Sequence, residues 1–159
     1  MPDLERFKKA QDFPHSGFEA ALGEIQSGRK RGHWIWYVFP QLSGLGASTA
    51  SQIYGIRDVA EAVAYLDDPV LRSRLLTMTT TVAERVRGGQ VSLETLMGSS
   101  IDVRKLVSSL TLFGNVARKL HAAQGLGAHE SLARSAEVVL AVAASEGYPP
   151  CSYTIARLG

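Results

Sequence analysis

The segment from Asp102 to about His121 carries the longest periodic pattern in the sequence. Its apolar residues recur every three or four positions, as Val103, Leu106, Leu110, Phe113, Ala117 and Leu120. Positions with this spacing lie on one face of an α-helix, so the pattern predicts an amphipathic helix of about six turns. Alternating strand patterns are scarce elsewhere, and the chain is therefore expected to fold mainly as helices.

Two further helices are predicted from residues at their N-termini. Ser16 and Glu19 have the spacing of a capping box, in which each side chain bonds a free backbone N–H of the other's turn. Asp58 and Glu61 repeat this spacing ahead of a second apolar stretch. Both pairs predict where a helix begins.

Three more helices are expected in the middle and the last third of the chain. Asp68-Pro69 predicts the start of a helix that runs to about Arg87, because proline at the first helical position loses no needed hydrogen bond. A short helix is expected between Ser92 and Met97, and a longer one from Glu130 to Ser145. Residues 35–39 are apolar throughout, which fits either a strand or a buried helical turn.

The expected architecture is all-α, a single compact multi-helix domain over residues 1–146. From Gly147 onward the chain contains Pro149-Pro150, and residues 147–159 are predicted to form an extended C-terminal arm. A chain of 159 residues with 45% hydrophobic and 20% charged residues has the composition of one globular domain.

Charge and cysteine content exclude several classes of function. The net charge of +2 gives no general attraction to nucleic acid or to a membrane surface. No Cys/His cluster has the spacing of a zinc site, so neither a metal nor a cofactor is predicted. The single cysteine, Cys151, suits a reducing compartment. A charged N-terminus and the absence of a long apolar stretch predict a soluble, cytoplasmic protein.

The densest group of functional candidates lies between Gly28 and Gln41. The consecutive cations Arg29, Lys30 and Arg31 are followed within five residues by Trp34 and Trp36. Arginine forks and an ammonium can hold phosphate oxygens, and indole rings can stack on a base. Such cations also offset the dipole at a helix C-terminus, and tryptophans commonly lie in cores, so a purely structural role stays open.

Two other residues of this segment are candidates. Gln41 ends the segment and is predicted to contact the ligand. His33 lies between the cations and the tryptophans and is a candidate for acid–base catalysis, with a packed, hydrogen-bonded histidine as the alternative.

A second group of candidates lies on the long predicted helix. Asp102, Lys105 and Ser109 have the spacing i, i+3, i+7, which places a carboxylate, an ammonium and a hydroxyl on one helix face. Asp102 is the candidate catalytic residue, and Lys105 and Ser109 are candidate ligand contacts. A solvated polar face is the alternative.

The run from Gly28 to Gly46, with Arg29 to Arg31, Trp34 and Phe39-Pro40-Gln41, resembles the signature of the family known as domain of unknown function 1810. The run from Asp102 to Phe113 is similar to a second motif of that family. The resemblance covers about residues 3–120 and implies a compact all-α fold without an established activity. From about His121 the sequence departs from the family's usual C-terminal part.

A more distant similarity is to the NADAR proteins, helical N-glycosidases of ADP-ribose-type or riboflavin-precursor substrates. It rests on the pattern Phe-x-x-Ala-Gln at residues 7–11 and on Gly28-Arg29 with a tryptophan nearby. For this chain the similarity implies hydrolysis of an N-glycosidic or ADP-ribose-type bond.

The leading hypothesis is a site for a small anionic, nucleotide- or ADP-ribose-like molecule between the Arg29–Gln41 segment and the Asp102–Phe113 helix. If the protein is an enzyme, Asp102 would steer water or stabilise a cationic sugar. The alternative is a non-catalytic protein-interaction module. A cleft between the two segments would favour the first hypothesis, and a flat aromatic surface would favour the second.

Overall fold

Ten α-helices and one 3-10 turn account for the regular structure of residues 3–159, the part of the chain that the computed structural model describes. No strand occurs within that range, and the all-α prediction is confirmed. The helices are α1 Glu5–Gln11, α2 Phe18–Gln26, α3 Ile35–Val38, α4 Thr49–Tyr54, α5 Val59–Asp67, α6 Pro69–Val86, α7 Leu93–Met97, α8 Ser100–Gln124, α9 Gly127–Ser145 and α10 Ser152–Arg157.

Helix α8 lies at the centre of the core, between α9 and α5, and α9 also packs on α6. The apolar stripe that predicts this helix faces inward: its members from Val103 to Ala117 are buried, and Leu120 is half-buried. Gly114 allows the close approach of α9, because a Cβ atom there would lie 3.1 Å from the Cβ atom of Ala136. The aromatic ring of Phe113 packs against Tyr65, with 4.9 Å between the ring centroids.

The predicted helix starts at Asp58 and Asp68 are confirmed. Asp58 accepts a hydrogen bond from the backbone N–H of Glu61 at 2.9 Å. Asp68 accepts two, from the N–H groups of Val70 and Leu71 at 3.0 and 3.1 Å, with Pro69 at the first position of α6.

The capping box predicted from Ser16 and Glu19 is wrong. Gly17 is the residue before the first turn of α2, and no side chain caps that turn. A Cβ atom at Gly17 would lie 2.3 Å from the carbonyl oxygen of Gln11, because the chain turns back tightly between α1 and α2. The Ser16 backbone instead accepts a hydrogen bond from the hydroxyl of Tyr37 at 2.5 Å. The tight turn, rather than a serine cap, determines where α2 begins.

The structure settles the conformation of the two ambiguous segments. Residues 35–38 form the buried helical turn α3 rather than a strand. The C-terminal segment is irregular only to Cys151 and then forms α10, so the prediction of an arm extended throughout is wrong. Its backbone is anchored where the N–H of Cys151 donates to Thr111 Oγ1 at 3.2 Å, and the Tyr153 hydroxyl donates to the carbonyl of Ser43 at 2.8 Å. These contacts hold the C-terminal segment against α8 and the loop between α3 and α4.

None of the helices described here combines the length and the apolar character that crossing a membrane requires.

Candidate functional site

The loop that carries the three consecutive cations is organised by Glu24 of α2. Its Oε1 atom accepts hydrogen bonds from the backbone N–H groups of Arg31 and Gly32 at 2.7 and 2.8 Å, and from Trp34 Nε1 at 2.9 Å. Burial alone would raise the pKa of Glu24, but these donors, with Lys30 nearby, bring it below its ordinary value. The carboxylate therefore fixes the shape of the loop.

Lys30 and Asp102 form an ion pair between this loop and the first turn of α8. The Lys30 Nζ atom lies 2.7 Å from Asp102 Oδ2, and the two side chains are only 5% and 17% exposed. The ammonium also donates to the carbonyl of Gly32 and lies 5.1 Å from the centroid of the Trp34 ring. The structure thus joins the two predicted groups of candidates at this contact.

Lys105 extends the same cluster toward the surface. Its Nζ atom lies 3.7 Å from the second carboxylate oxygen of Asp102 and 4.7 Å from the centroid of the Trp36 ring. Lys105, Trp36 and Gln41 line a small cavity of about 10 Å³, which has room for about one water molecule. Asp102 is consequently paired with two ammonium groups.

The other predicted site residues lie apart from this cluster or inside the core. Arg29 and His33 are exposed. Trp34 is completely buried, and so is Ser109, whose hydroxyl has no hydrogen-bond partner among residues 3–159. The predicted roles of these four residues in binding or catalysis stay predictions.

A cleft of about 600 Å³ opens beside Lys105. One wall is the outward face of α8, with Arg104, Lys105 and Ser108, and the opposite wall is segment 147–153. Gln41 also lines the cleft. The cleft therefore adjoins both of the predicted groups, and its second wall comes from the C-terminal segment.

The charged residues that line the cleft are all cationic. Arg104 and Lys105 contribute positive charges, and no aspartate or glutamate within residues 3–159 lines the cleft. The guanidinium carbon of Arg104 lies 5.6 Å from the centroid of the Tyr148 ring. A cleft with this charge favours an anionic occupant.

The side-chain amide of Gln41 is the most distinctive polar group of the cleft. Gln41 is only 9% exposed, yet its side-chain amide makes no hydrogen bond within residues 3–159. Both amide atoms keep some accessible surface, and Gln41 lines both the cleft and the small cavity beside Trp36. A buried amide normally has hydrogen-bond partners, and one left free at a cavity is available to a ligand.

Cys151 lines the cleft where segment 147–153 meets α8, and its backbone N–H bonds Thr111 of that helix. Its sulfur accepts a hydrogen bond from Thr154 Oγ1 at 3.2 Å. Burial alone would raise the pKa of the Cys151 thiol, but hydrogen bonds from Ser108, Thr154 and the backbone bring it below its ordinary value.

Five residues that line the cleft were not predicted from the sequence as site residues: Arg104, Ser108, Tyr148, Cys151 and Tyr153. The last three belong to a segment treated as a separate arm. The signal present there was the grouping of two tyrosines, two prolines and the cysteine within residues 148–153.

Residues 1–131 match the family model described as a protein of unknown function (DUF1810). The chain belongs to the DUF1810 family. This confirms the resemblance seen in the sequence, whereas the similarity to NADAR proteins stays a prediction. The match ends before segment 147–153, so the cleft of this DUF1810 protein has one wall within the matched region and one beyond it.

The crystal structure of the conserved hypothetical protein Rv1873 from Mycobacterium tuberculosis is similar to this DUF1810 protein, with a TM-score of 0.74. The two sequences are 36% identical, and the comparison covers 98% of this chain and 95% of that chain. The helical fold is thus shared over nearly the full length. No curated protein matches the chain.

Proposed function

We propose that this DUF1810 protein binds a small anionic organic molecule in the cleft between α8 and segment 147–153. The observation that carries the proposal is the composition of the cleft. Arg104 and Lys105 face it without a carboxylate among the lining residues, and the amide of Gln41 lies there unbonded within the described range. Two cations and a free amide suit a ligand that carries a phosphate or carboxylate.

The size and the aromatic content of the cleft support a nucleotide- or ADP-ribose-like ligand. A volume of about 600 Å³ lies within the range of small-molecule sites. Tyr148 and Tyr153 line the same cleft, and each has an arginine guanidinium near its ring. A flat base could pack against these rings while its phosphates contact α8.

The proposal extends to a reaction, the hydrolysis of an N-glycosidic bond of the bound ligand. Asp102 is paired with Lys30 and Lys105 and does not line the cleft, so it would act by holding the Lys105 ammonium in place. His33 is exposed and receives no role. Of the residues behind the NADAR similarity, Phe7 is buried, and Gln11 bonds the backbone carbonyl of Tyr37 at 2.8 Å, so both support the core.

The binding test is a titration of tryptophan fluorescence with ADP-ribose, AMP and inorganic phosphate. Trp36 lies next to Lys105, so occupancy of the cleft should change its emission. Arg104→Gln is expected to weaken the binding of ADP-ribose about tenfold, because it removes one charge-assisted contact. The matched control is Arg134→Gln on the exposed surface of α9, which should leave the affinity unchanged. Equal affinities in both variants, or no signal at millimolar ligand, would remove the proposal.

The reaction is tested separately by incubating the protein with ADP-ribose and measuring free adenine by chromatography. Release of adenine that Lys105→Gln abolishes would support hydrolysis. If ADP-ribose binds tightly but is still intact after a long incubation, the protein binds this molecule and does not hydrolyse it.

The interaction module is the second candidate, and one observation favours it. Ile101 is 64% exposed although it is a large apolar residue, and it lies at the edge of the same cleft. An exposed isoleucine beside a groove suits a contact with another protein. This candidate gains support if none of the three small molecules binds.

A further inference from the structure

Cys151 places a thiol in the lining of the cleft. We propose that Cys151 is a modification site, which forms a mixed disulfide with a small anionic disulfide held in the cleft. The inference rests on the proposed function, because it uses the preference of the same cleft for anions. It adds a covalent step at a residue that the binding proposal does not need.

The first support is the surroundings of the sulfur. Cys151 is half-buried and lines the cleft together with Ser108 of α8. The hydroxyl of Thr154 donates to the sulfur at 3.2 Å, and hydroxyl donors stabilise a thiolate more than a thiol. The thiolate is the form that attacks a disulfide.

The second support points to a ligand independently of the cysteine. Gln41 is nine-tenths buried, its amide has no hydrogen bond to the part of the chain described here, and the residue lines the same cleft. Arg104 and Lys105 supply two positive charges beside it, and the lining includes no carboxylate. An anionic disulfide would thus be bound by α8 and Gln41 while its sulfurs lie in a cleft that contains Cys151.

The chemistry is an exchange that balances without an external oxidant. The Cys151 thiolate attacks one sulfur of the disulfide, a new S–S bond forms to Cys151, and the original S–S bond breaks. The leaving half departs as a thiolate and takes up a proton from solvent. The number of disulfide bonds is unchanged, so no net oxidation occurs.

The experiment compares two disulfides of opposite charge, 5,5′-dithiobis(2-nitrobenzoate), a dianion, and cystamine, a dication. Cys151 is the single cysteine of the chain, so every adduct forms there. For each reagent the second-order rate with the folded protein is divided by the rate with the urea-unfolded protein. The ratio cancels the difference in intrinsic reactivity between the two reagents, so it reports only the effect of the folded structure.

The ratio for the dianion should exceed the ratio for the dication by at least about fivefold, the factor that one charge contact at about 4 Å in water supplies. Arg104→Gln should reduce this preference, and Arg134→Gln should leave it unchanged. Arg104 and Arg134 are both exposed, so neither change should unfold the protein. Equal ratios for both reagents, or a preference that Arg104→Gln leaves unchanged, would overturn the proposal.

A final comparison separates this inference from the proposed function. Cys151→Ser should abolish adduct formation, seen by mass spectrometry, and the binding of ADP-ribose is measured on the unmodified parent protein. If ADP-ribose binds but the anionic disulfide shows no preference, the modification site is refuted and the binding proposal stands. If the anionic disulfide reacts faster but ADP-ribose does not bind, the nucleotide-like ligand is refuted and the thiol site stands.

Discussion

Replacing Lys30 with methionine removes the ammonium that joins the cation loop to α8 while keeping a side chain of similar length. The Lys30 side chain is 5% exposed, and its Nζ atom lies 2.7 Å from Asp102 Oδ2. Breaking a buried ion pair by removing one partner costs about 3–5 kcal/mol, since it leaves the other charge uncompensated. Asp102 keeps Lys105 at 3.7 Å and some contact with solvent, so the low end, about 3 kcal/mol, is expected.

The measurement is urea unfolding followed by circular dichroism. With an m-value of about 2 kcal/mol/M, the midpoint of Lys30→Met should fall by about 1.5 M without a change in slope. The melting temperature should fall by about 6–12 °C. Lys9→Met, an exposed lysine on α1, is the matched control and should change the free energy of unfolding by less than about 0.5 kcal/mol.

A double variant tests the cause of the loss. Lys30→Met combined with Asp102→Leu removes both charges, so the loss of stability should be smaller than the sum of the two single losses. Additive losses would show that Lys30 acts through packing rather than through Asp102. A single-variant loss below about 0.5 kcal/mol would refute the assignment of the pair as a buried link between the loop and α8.

Three other predictions concern the core and its turns. Phe113→Ala should lower the free energy of unfolding by about 3–5 kcal/mol in urea titrations, because the ring is completely buried against Tyr65; a loss under about 1 kcal/mol would contradict this burial. Gly17→Ala should destabilise the protein clearly in the same assay, because its Cβ would lie 2.3 Å from a backbone oxygen, and an unchanged midpoint would show that the α1–α2 turn can widen. Burial lowers the pKa of His129 below 6.5, so the unfolded chain binds a proton that the folded one does not, and stability should fall as the pH drops through about 6.5. His129→Leu should lose part of this pH dependence. A pH profile identical to that of the parent protein would contradict the assignment to His129.

The helical core could be predicted from the sequence because its cause is local. Leu110 and Phe113 repeat with the period of a helix, and Asp58 and Asp68 bond N–H groups two or three residues away. Ser16 shows the limit of such patterns. Its spacing to Glu19 suits a cap, but the tight backbone approach at Gly17 decides the start of α2, and that approach depends on α1.

The candidate site was only half predictable for a different reason. Lys30, Asp102 and Lys105 were recognisable as chemical groups, but the contact between the loop and α8 joins positions far apart in sequence, and no local pattern encodes it. Helix α10 has six residues, too few for a periodic signal. It packs on α8 with Thr154 buried, and this tertiary contact has no local pattern, so the second wall of the cleft was missed.

The most direct test of the binding cleft is nuclear magnetic resonance of the Gln41 side-chain amide during a titration with ADP-ribose. The amide has no hydrogen bond within residues 3–159, so a ligand in the cleft should give it one. We expect its two N–H signals to shift and to saturate, and Arg104→Gln to move the midpoint to about tenfold higher ligand. Unmoved Gln41 signals at millimolar ADP-ribose, or shifts confined to residues 29–32, would contradict a ligand site between α8 and segment 147–153.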